Sequence, residues 1–446
     1  MKATVNKPEM RIRTFFEIDL LLIFATIALV VFGILFIYSS GITSEGVLIS
    51  DEYIRQIVWA SAGLVIALLI SMLNYRRIYD LYIYFYLATL VLLVYTFVFG
   101  RLFQGSRWIR IGSFGLQASE FAKITTILLL AWYLERSKRE KDFTRFLICA
   151  LIALVPMLLV LMQPDLGTAL VFIPILLGTA YFAELPLRYI LFLLLTIALA
   201  GLFLVLPLWQ SVIADNAVPA LMVLVNSRFV MAGCMILLLI ALVAWLGYAR
   251  YKKRYFYWIR YFAGILILSL GASYAAQRIL MQYQVMRLII FMDPNVDPRG
   301  SGWHIIQSIT AIGSGGAFGK GYLQGTQSHY RYLPEQSTDF IFSILSEEWG
   351  FAGGMLVFGL YLVILLRLVR IMRNTNDSFG SWIVAGFLSM CAFHFFVNVG
   401  MTMGIMPITG IPLLFVSYGG SSLMSAMTGI GLALSVHKRR FLRNPL

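Results

Sequence analysis

Long apolar runs, each about the length a helix needs to cross the hydrocarbon core of a bilayer, alternate with short polar or basic segments from Asp19 to the C-terminus. Twelve can be marked, near residues 19–39, 56–73, 79–99, 118–134, 145–163, 168–183, 188–208, 218–248, 256–281, 340–366, 380–400 and 409–436. The pattern predicts an all-α fold, a polytopic transmembrane helix bundle of about 12 spans forming a single integral membrane domain over residues 1–446. The first run, roughly Leu20 to Tyr38, is too long for a signal-peptide core and has no small-residue cleavage site after it, so it is expected to remain as an anchor. Residues 283–338 form the one connecting segment large enough to carry structure of its own. Its start, Gln282–Met292, suits an interfacial helix, and its glycine-rich middle, Gly313–Gly325, suits a closely turning loop.

Composition agrees with the pattern. The chain has 446 residues, 60% of them hydrophobic and 13% charged, with a mean hydropathy of +0.84. Its net charge of +14 is topological rather than a nucleic-acid footprint. Basic residues beside spans are retained on the cytoplasmic side, and most of the 35 Lys and Arg agree if the N- and C-termini are both inside. That orientation puts residues 283–338 outside. Cys149, Cys234 and Cys391 fall singly within apolar runs, so neither a disulfide framework nor a metal cluster is indicated.

Ionisable groups in or beside spans are costly and therefore informative. Glu120 and Lys123 lie three apart and share a helix face, either as a structural ion pair or with a direct role in chemistry. Asp165, after Gln163-Pro164, is either a helix cap or a partner for Lys123 or a substrate-facing arginine. Arg101, Arg107, Arg110, Arg278, Arg287, Arg299, Lys320 and Arg331 lie outside, against the retention bias. They clamp an anionic ligand or pair with Asp293, Asp297 and Glu335. Glu335 and Asp339 end the long loop where an apolar helix begins. A carboxylate at such a poorly solvated mouth can act as a general base, or simply cap the helix. Glu347 lies two turns further along with Glu348 beside it, suggesting a polar cavity opening outward, with space from Gly350–Gly354.

At these residues the chain resembles the SEDS proteins of shape, elongation, division and sporulation, and within them the elongation branch rather than the division branch. The resemblance runs through Gly105-Ser106-Arg107-Trp108-Ile109, Gln117 to Lys123, and Gln163 to Thr168. It continues through Asp293-Pro294, Gly302 to Ser308, Ala311 to Gly316, Gly325 to Ser328, and Leu333 to Phe342 with Glu347 and Glu348. In the tail it covers Asn398-Val399-Gly400, Pro407 to Pro412, and Ser417 to Ser421. Family members usually have ten spans; here a helix pair, about 212–275, is added. Two smaller departures are Ser337, where histidine commonly precedes the Thr-Asp pair, and Ala118, where proline is usual.

The resemblance implies a peptidoglycan glycosyltransferase that polymerises lipid II, an undecaprenyl-pyrophosphate disaccharide-peptide, on the outer face of the cytoplasmic (inner) membrane during elongation. By the same resemblance Asp339 is the essential acid and a class B penicillin-binding protein, a transpeptidase, is the partner. Within that picture we expect Asp339 as base and Glu335 as its orienting neighbour. Arg107 and Arg287 are the expected pyrophosphate contacts, and Trp108 an apolar shelf. Glu120, Lys123, Asp165, Glu347 and Ser417 are expected to shape the substrate side. No cofactor is indicated, and a divalent cation is left open. Two other functions stand beside this one: a flippase for lipid II or another polyprenyl lipid, and a scaffold that only recruits wall enzymes. Against the first, the halves show no similarity and no matching broken helices. The second leaves Asp339 and the outer arginines without a purpose.

Overall fold

The computed structural model describes residues 19–102, 108–111, 114–212, 224–279, 282–298 and 300–440. It is helical almost throughout, as a chain that must satisfy its backbone inside lipid requires. In chain order the helices are α1 (Leu20–Ser40), α2 (Glu52–Met72), α3 (Tyr82–Leu102), α4 (Ala118–Arg136), α5 (Asp142–Leu161), α6 (Leu166–Leu170), α7 (Phe172–Phe182) and α8 (Leu187–Val212). They continue as α9 (Ser227–Tyr251), α10 (Arg254–Ile279), α11 (Gln282–Met292), α12 (Ser301–Ser314), α13 (Thr326–His329), α14 (Ile341–Asn374), α15 (Ser378–Thr402) and α16 (Gly420–Lys438). Each of the twelve apolar runs contains a helix among the described residues. Among the described residues, nine helices are long and apolar enough to cross a membrane. The other three runs are shorter in apolar length or more polar: α4 carries Glu120 and Lys123, α6 and α7 break one run in two, and α16 begins only at Gly420.

The chain forms two compact units. One comprises Met1–Glu184 with Gln307–Leu446, the other Leu185–Ile306. In the second unit α10 packs against both α8 and α9, and α11 packs against α8. The stretch 212–275, expected as an added pair, holds α9 and most of α10. Side chains on α9 are mostly exposed, as suits a helix whose neighbours are lipid.

The first unit has the buried centre. About 78% of the apolar window of α15 is buried, against 11% for α9, because α15 packs on α4, α7, α14 and α16. Serines knit the helices where apolar packing alone would let them slide: Ser308 Oγ lies 2.6 Å from Ser343 Oγ and donates to Thr402 O at 2.6 Å, joining α12, α14 and α15.

Helix α14 breaks at Gly350, where φ is +64°. A Cβ there would stand 2.3 Å from Gly319 N, so only glycine fits. The break leaves backbone groups that lipid cannot satisfy, and the glycine-rich loop supplies their partners. Phe351 N and Ala352 N donate to Gly316 O and Ala317 O at 2.9 and 3.0 Å, while Lys320 N and Gly321 N donate to Glu347 O and Glu348 O at 3.0 Å each. The loop turns closely, as its composition predicts, because it is laid against an opened helix.

Candidate functional site

Asp339 lies just before α14, on a turn made by Glu335. Glu335 adopts φ +47°, and its carbonyl accepts from Thr338 N, Asp339 N and Phe340 N at 3.3, 3.1 and 3.3 Å. The N-cap position of α14 is Phe340, so Asp339 stands outside the capping position. Its side chain is half-buried and that of Glu335 is exposed. The bonds that hold this turn to the rest of the unit include Gln336 Nε2 donating to Ser40 O at 2.7 Å, Tyr418 N to Ser337 O at 2.8 Å, and Asn398 Nδ2 to Asp339 O at 2.9 Å.

Ser417 belongs to the same construction. Its hydroxyl accepts from Leu413 N at 2.9 Å and its carbonyl accepts from Gln56 Nε2 at 3.2 Å, so it shapes the non-helical segment that leads to Tyr418. Trp108 is 42% exposed on β1 (Trp108–Ile111), which pairs antiparallel with β2 (Phe114–Gln117). Its ring lies over Gly115, where a Cβ would come within 3.1 Å of Trp108 Cε3. This hairpin leads directly into α4 and is a small β element that the apolar pattern does not foretell.

Beneath these groups lies a closed polar core. Lys123 is fully buried, with Nζ 2.8 Å from Glu120 Oε2 and 3.3 Å from His394 Nε2. Ser425 Oγ donates to Glu120 Oε2 at 3.2 Å, so the pair links α4, α15 and α16. Of the two alternatives for this pair, the geometry matches the one that pins helices. Asp165 caps α6, accepting from Thr168 N at 3.1 Å through one oxygen and from Gln117 Nε2 at 3.1 Å through the other.

Glu347 and Glu348 depart from expectation. Both are fully buried and bind the chain itself rather than lining an outward cavity. The Glu347 carboxylate pairs with Lys320 Nζ at 2.7 Å and accepts from Thr326 N, Gln327 N and Ser328 N at 2.8 to 3.4 Å, all at the start of α13. Glu348 takes a short bond from Ser39 Oγ and another from Leu323 N at 3.2 Å. A cavity of about 240 Å³ does open by Gly350 and Gly354, but Ile312, Phe342, Phe351 and Phe358 make it apolar.

Arg287 sits half-buried on α11, in the unit Leu185–Ile306, whereas Asp339 is in the other unit. Arg107 and Arg299 lie outside the described residues. Among the described residues no group of three or more His, Cys, Asp or Glu is arranged to hold a metal ion. Sequence reasoning gave no role to His394 or Asn398. Both are polar, four apart on one face of an apolar span, and that spacing is the signal that would have found them.

Comparison with known proteins agrees with the SEDS resemblance. A family model of cell cycle proteins spanning FtsW, RodA and SpoVE matches residues 19–215 and 212–441. The chain is similar to the peptidoglycan glycosyltransferase RodA of Treponema pallidum, 51% identical over 97% of this chain and 100% of the relative. It is also similar to the peptidoglycan glycosyltransferase MrdB of Escherichia coli strain K12, 32% identical over 96% of each. Among solved structures it resembles a chain from a peptidoglycan synthase complex in which polymerization and crosslinking are coordinated, with a TM-score of 0.65 and 28% identity over 96% of this chain and 99% of that one. Another neighbour is the rod shape determining protein RodA of Thermus thermophilus, with a TM-score of 0.58 and 26% identity over 96% and 98%. This chain is therefore a membrane protein that belongs to the FtsW/RodA/SpoVE family of cell cycle proteins.

Proposed function

We infer that this chain builds glycan strands from lipid II at the outer face of the cytoplasmic membrane, with Asp339 as the general base. The chain is a peptidoglycan glycosyltransferase, the activity for which its relatives in T. pallidum and E. coli are named. The observation that carries the base assignment is the placing of Asp339: a half-buried carboxylate on a tightly tethered turn, just before a membrane helix and outside its capping position.

The step runs as follows. The acceptor's GlcNAc 4-hydroxyl oxygen attacks the anomeric carbon of the donor's MurNAc while Asp339 takes the hydroxyl proton. The bond from that carbon to the pyrophosphate oxygen breaks, and undecaprenyl pyrophosphate leaves with the electron pair. Glu335, exposed and bonded by Thr338 Oγ1 at 3.3 Å, orients the acceptor side. Arg107 and Arg287 contact the pyrophosphate, and Trp108 offers its exposed face to lipid or sugar.

We place the termini in the cytoplasm and assign a class B penicillin-binding protein as partner. The likeness to a chain of a peptidoglycan synthase complex supports that partnership. The helix pair near 212–275 is an addition to the ten-span body, and deleting it is expected to leave polymerisation measurable. The names of the relatives do not favour the flippase alternative.

The test is a polymerisation assay on purified protein, its partner and lipid II in detergent, where no sealed leaflet exists for a flippase to act across. Wild-type protein is expected to give glycan strands and Asp339→Asn none above background. Strand synthesis by Asp339→Asn at the native rate would remove the base assignment.

A further inference from the structure

We propose that Asn398 is the positioning residue of the polymerisation site: its buried amide fixes the backbone of Asp339 to the segment Thr409–Tyr418, and His394 fixes that segment to the Glu120–Lys123 pair. This rests on Asp339 being the base.

Asn398 is fully buried on α15, and its Nδ2 donates to Asp339 O at 2.9 Å and to Ile411 O at 2.8 Å. Both partners are carbonyls, which only accept, so the amide nitrogen must face them. One turn earlier on the same face, His394 Nδ1 lies 2.9 Å from Pro412 O and Nε2 lies 3.3 Å from Lys123 Nζ. A carbonyl accepts and an ammonium donates. His394 is therefore neutral with its proton on Nδ1, and Nε2 accepts from Lys123.

The segment between α15 and α16 is not helical, so its backbone needs partners beyond a helical ladder. It finds them one by one: Asn398 on Ile411 O, His394 on Pro412 O, Ser417 Oγ on Leu413 N, Tyr361 OH on Leu414 O, and Gln56 Nε2 on Ser417 O. Tyr418 N then returns to Ser337 O, two residues before Asp339. The turn carrying Asp339 and the segment carrying Ile411 thus form one hydrogen-bonded body. The Asn398 amide ties that body to α15 at the backbone of Asp339 itself. A displacement of about 1 Å at a reacting group can cost on the order of a hundredfold in rate, so that amide acts on chemistry rather than on binding.

The experiment measures kcat, KM for lipid II and thermal unfolding for wild type, Asn398→Leu, Asn398→Ser and Asp339→Asn, each purified with the partner. Leu keeps the same heavy-atom branching without a donor, and Ser keeps one donor. Asn398→Leu is expected to lower kcat by about ten- to a hundredfold with KM within about twofold of wild type. Asn398→Ser should fall between it and wild type. If Asn398→Leu does not fold, Asn398→Ser decides: a lowered kcat at wild-type KM and unfolding temperature supports positioning, and a wild-type kcat overturns it. A parallel loss of kcat, KM and stability also overturns it, because Asn398 would then only hold the bundle together. Asp339→Asn separates the two claims. If it is inactive while both Asn398 variants run at the native rate, positioning fails and the base stands; if it is active, both fall.

Discussion

Asp339 and Glu347 are acids about two helical turns apart at one end of α14, yet they are buried to different degrees. Glu347 is fully buried, and its oxygens are occupied by Lys320 and by the backbone N–H groups that open α13. Asp339 is half-buried on a turn whose own backbone is tethered, beside an exposed Glu335. A buried carboxylate supplied with donors by its own chain maintains a fold. One that is only half-buried, on a turn held by others, is the better placed to exchange a proton with a ligand.

The largest expected effect follows at once. Asp339→Asn should reduce polymerisation by on the order of a hundredfold or more, the usual contribution of a positioned base, while the unfolding temperature stays at the wild-type value. Glu347→Gln should invert that result. Loss of the charge opposite Lys320 should cost about 2–3 kcal/mol of stability, less than the roughly 3–5 kcal/mol of a fully buried pair because Lys320 is 27% exposed. Unfolding in detergent would measure it, and the rate per folded molecule should stay within about threefold of wild type. If Glu347→Gln lost activity without losing stability, the two acids would not differ in kind. Glu335→Gln is a finer probe: as an exposed orienting neighbour it should change stability by no more than about 0.5 kcal/mol and the rate by about two- to threefold.

The helices were legible because a run of about 20 apolar residues in lipid satisfies its backbone as a helix, and each of the twelve runs contains one among the described residues. Periodicity could not reveal the hairpin Trp108–Gln117, whose strands are four residues each, or say which acids were closed off. Spacing places Glu347 on the Asp339 face of the helix, but its partners come from Lys320 and Thr326–Ser328, brought in by a loop folded against the break at Gly350. Such a fold-back depends on tertiary contact, and sequence distance does not report it. The small residues Gly350–Gly354 point to room for a polar cavity; the room exists, but phenyl rings line it. His394 and Asn398 were legible as polar residues in an apolar span, and only the structure supplies their partners.

Asp377 extends the contrast to the far end of α14 and α15, and pH can read it. It caps α15 through Phe379 N and Gly380 N, accepts from Tyr75 OH at 2.6 Å and from Arg76 Nε at 3.0 Å, and pairs with the same guanidinium through its other oxygen. Burial pushes its carboxyl upward, but the bonds from Arg76 and Tyr75 outweigh burial and hold it below the ordinary value of 3.8. A depressed folded-state value means that the unfolded chain binds the proton more readily. The stabilisation is therefore complete above the ordinary value and is lost as pH falls through it toward the lower folded-state value. Asp377→Asn should accordingly lower the unfolding temperature at neutral pH and flatten its decline in acid, with the two proteins converging at the lowest pH. Equal acid limbs for wild type and Asp377→Asn would show that this buried acid does not hold the fold as Glu347 does.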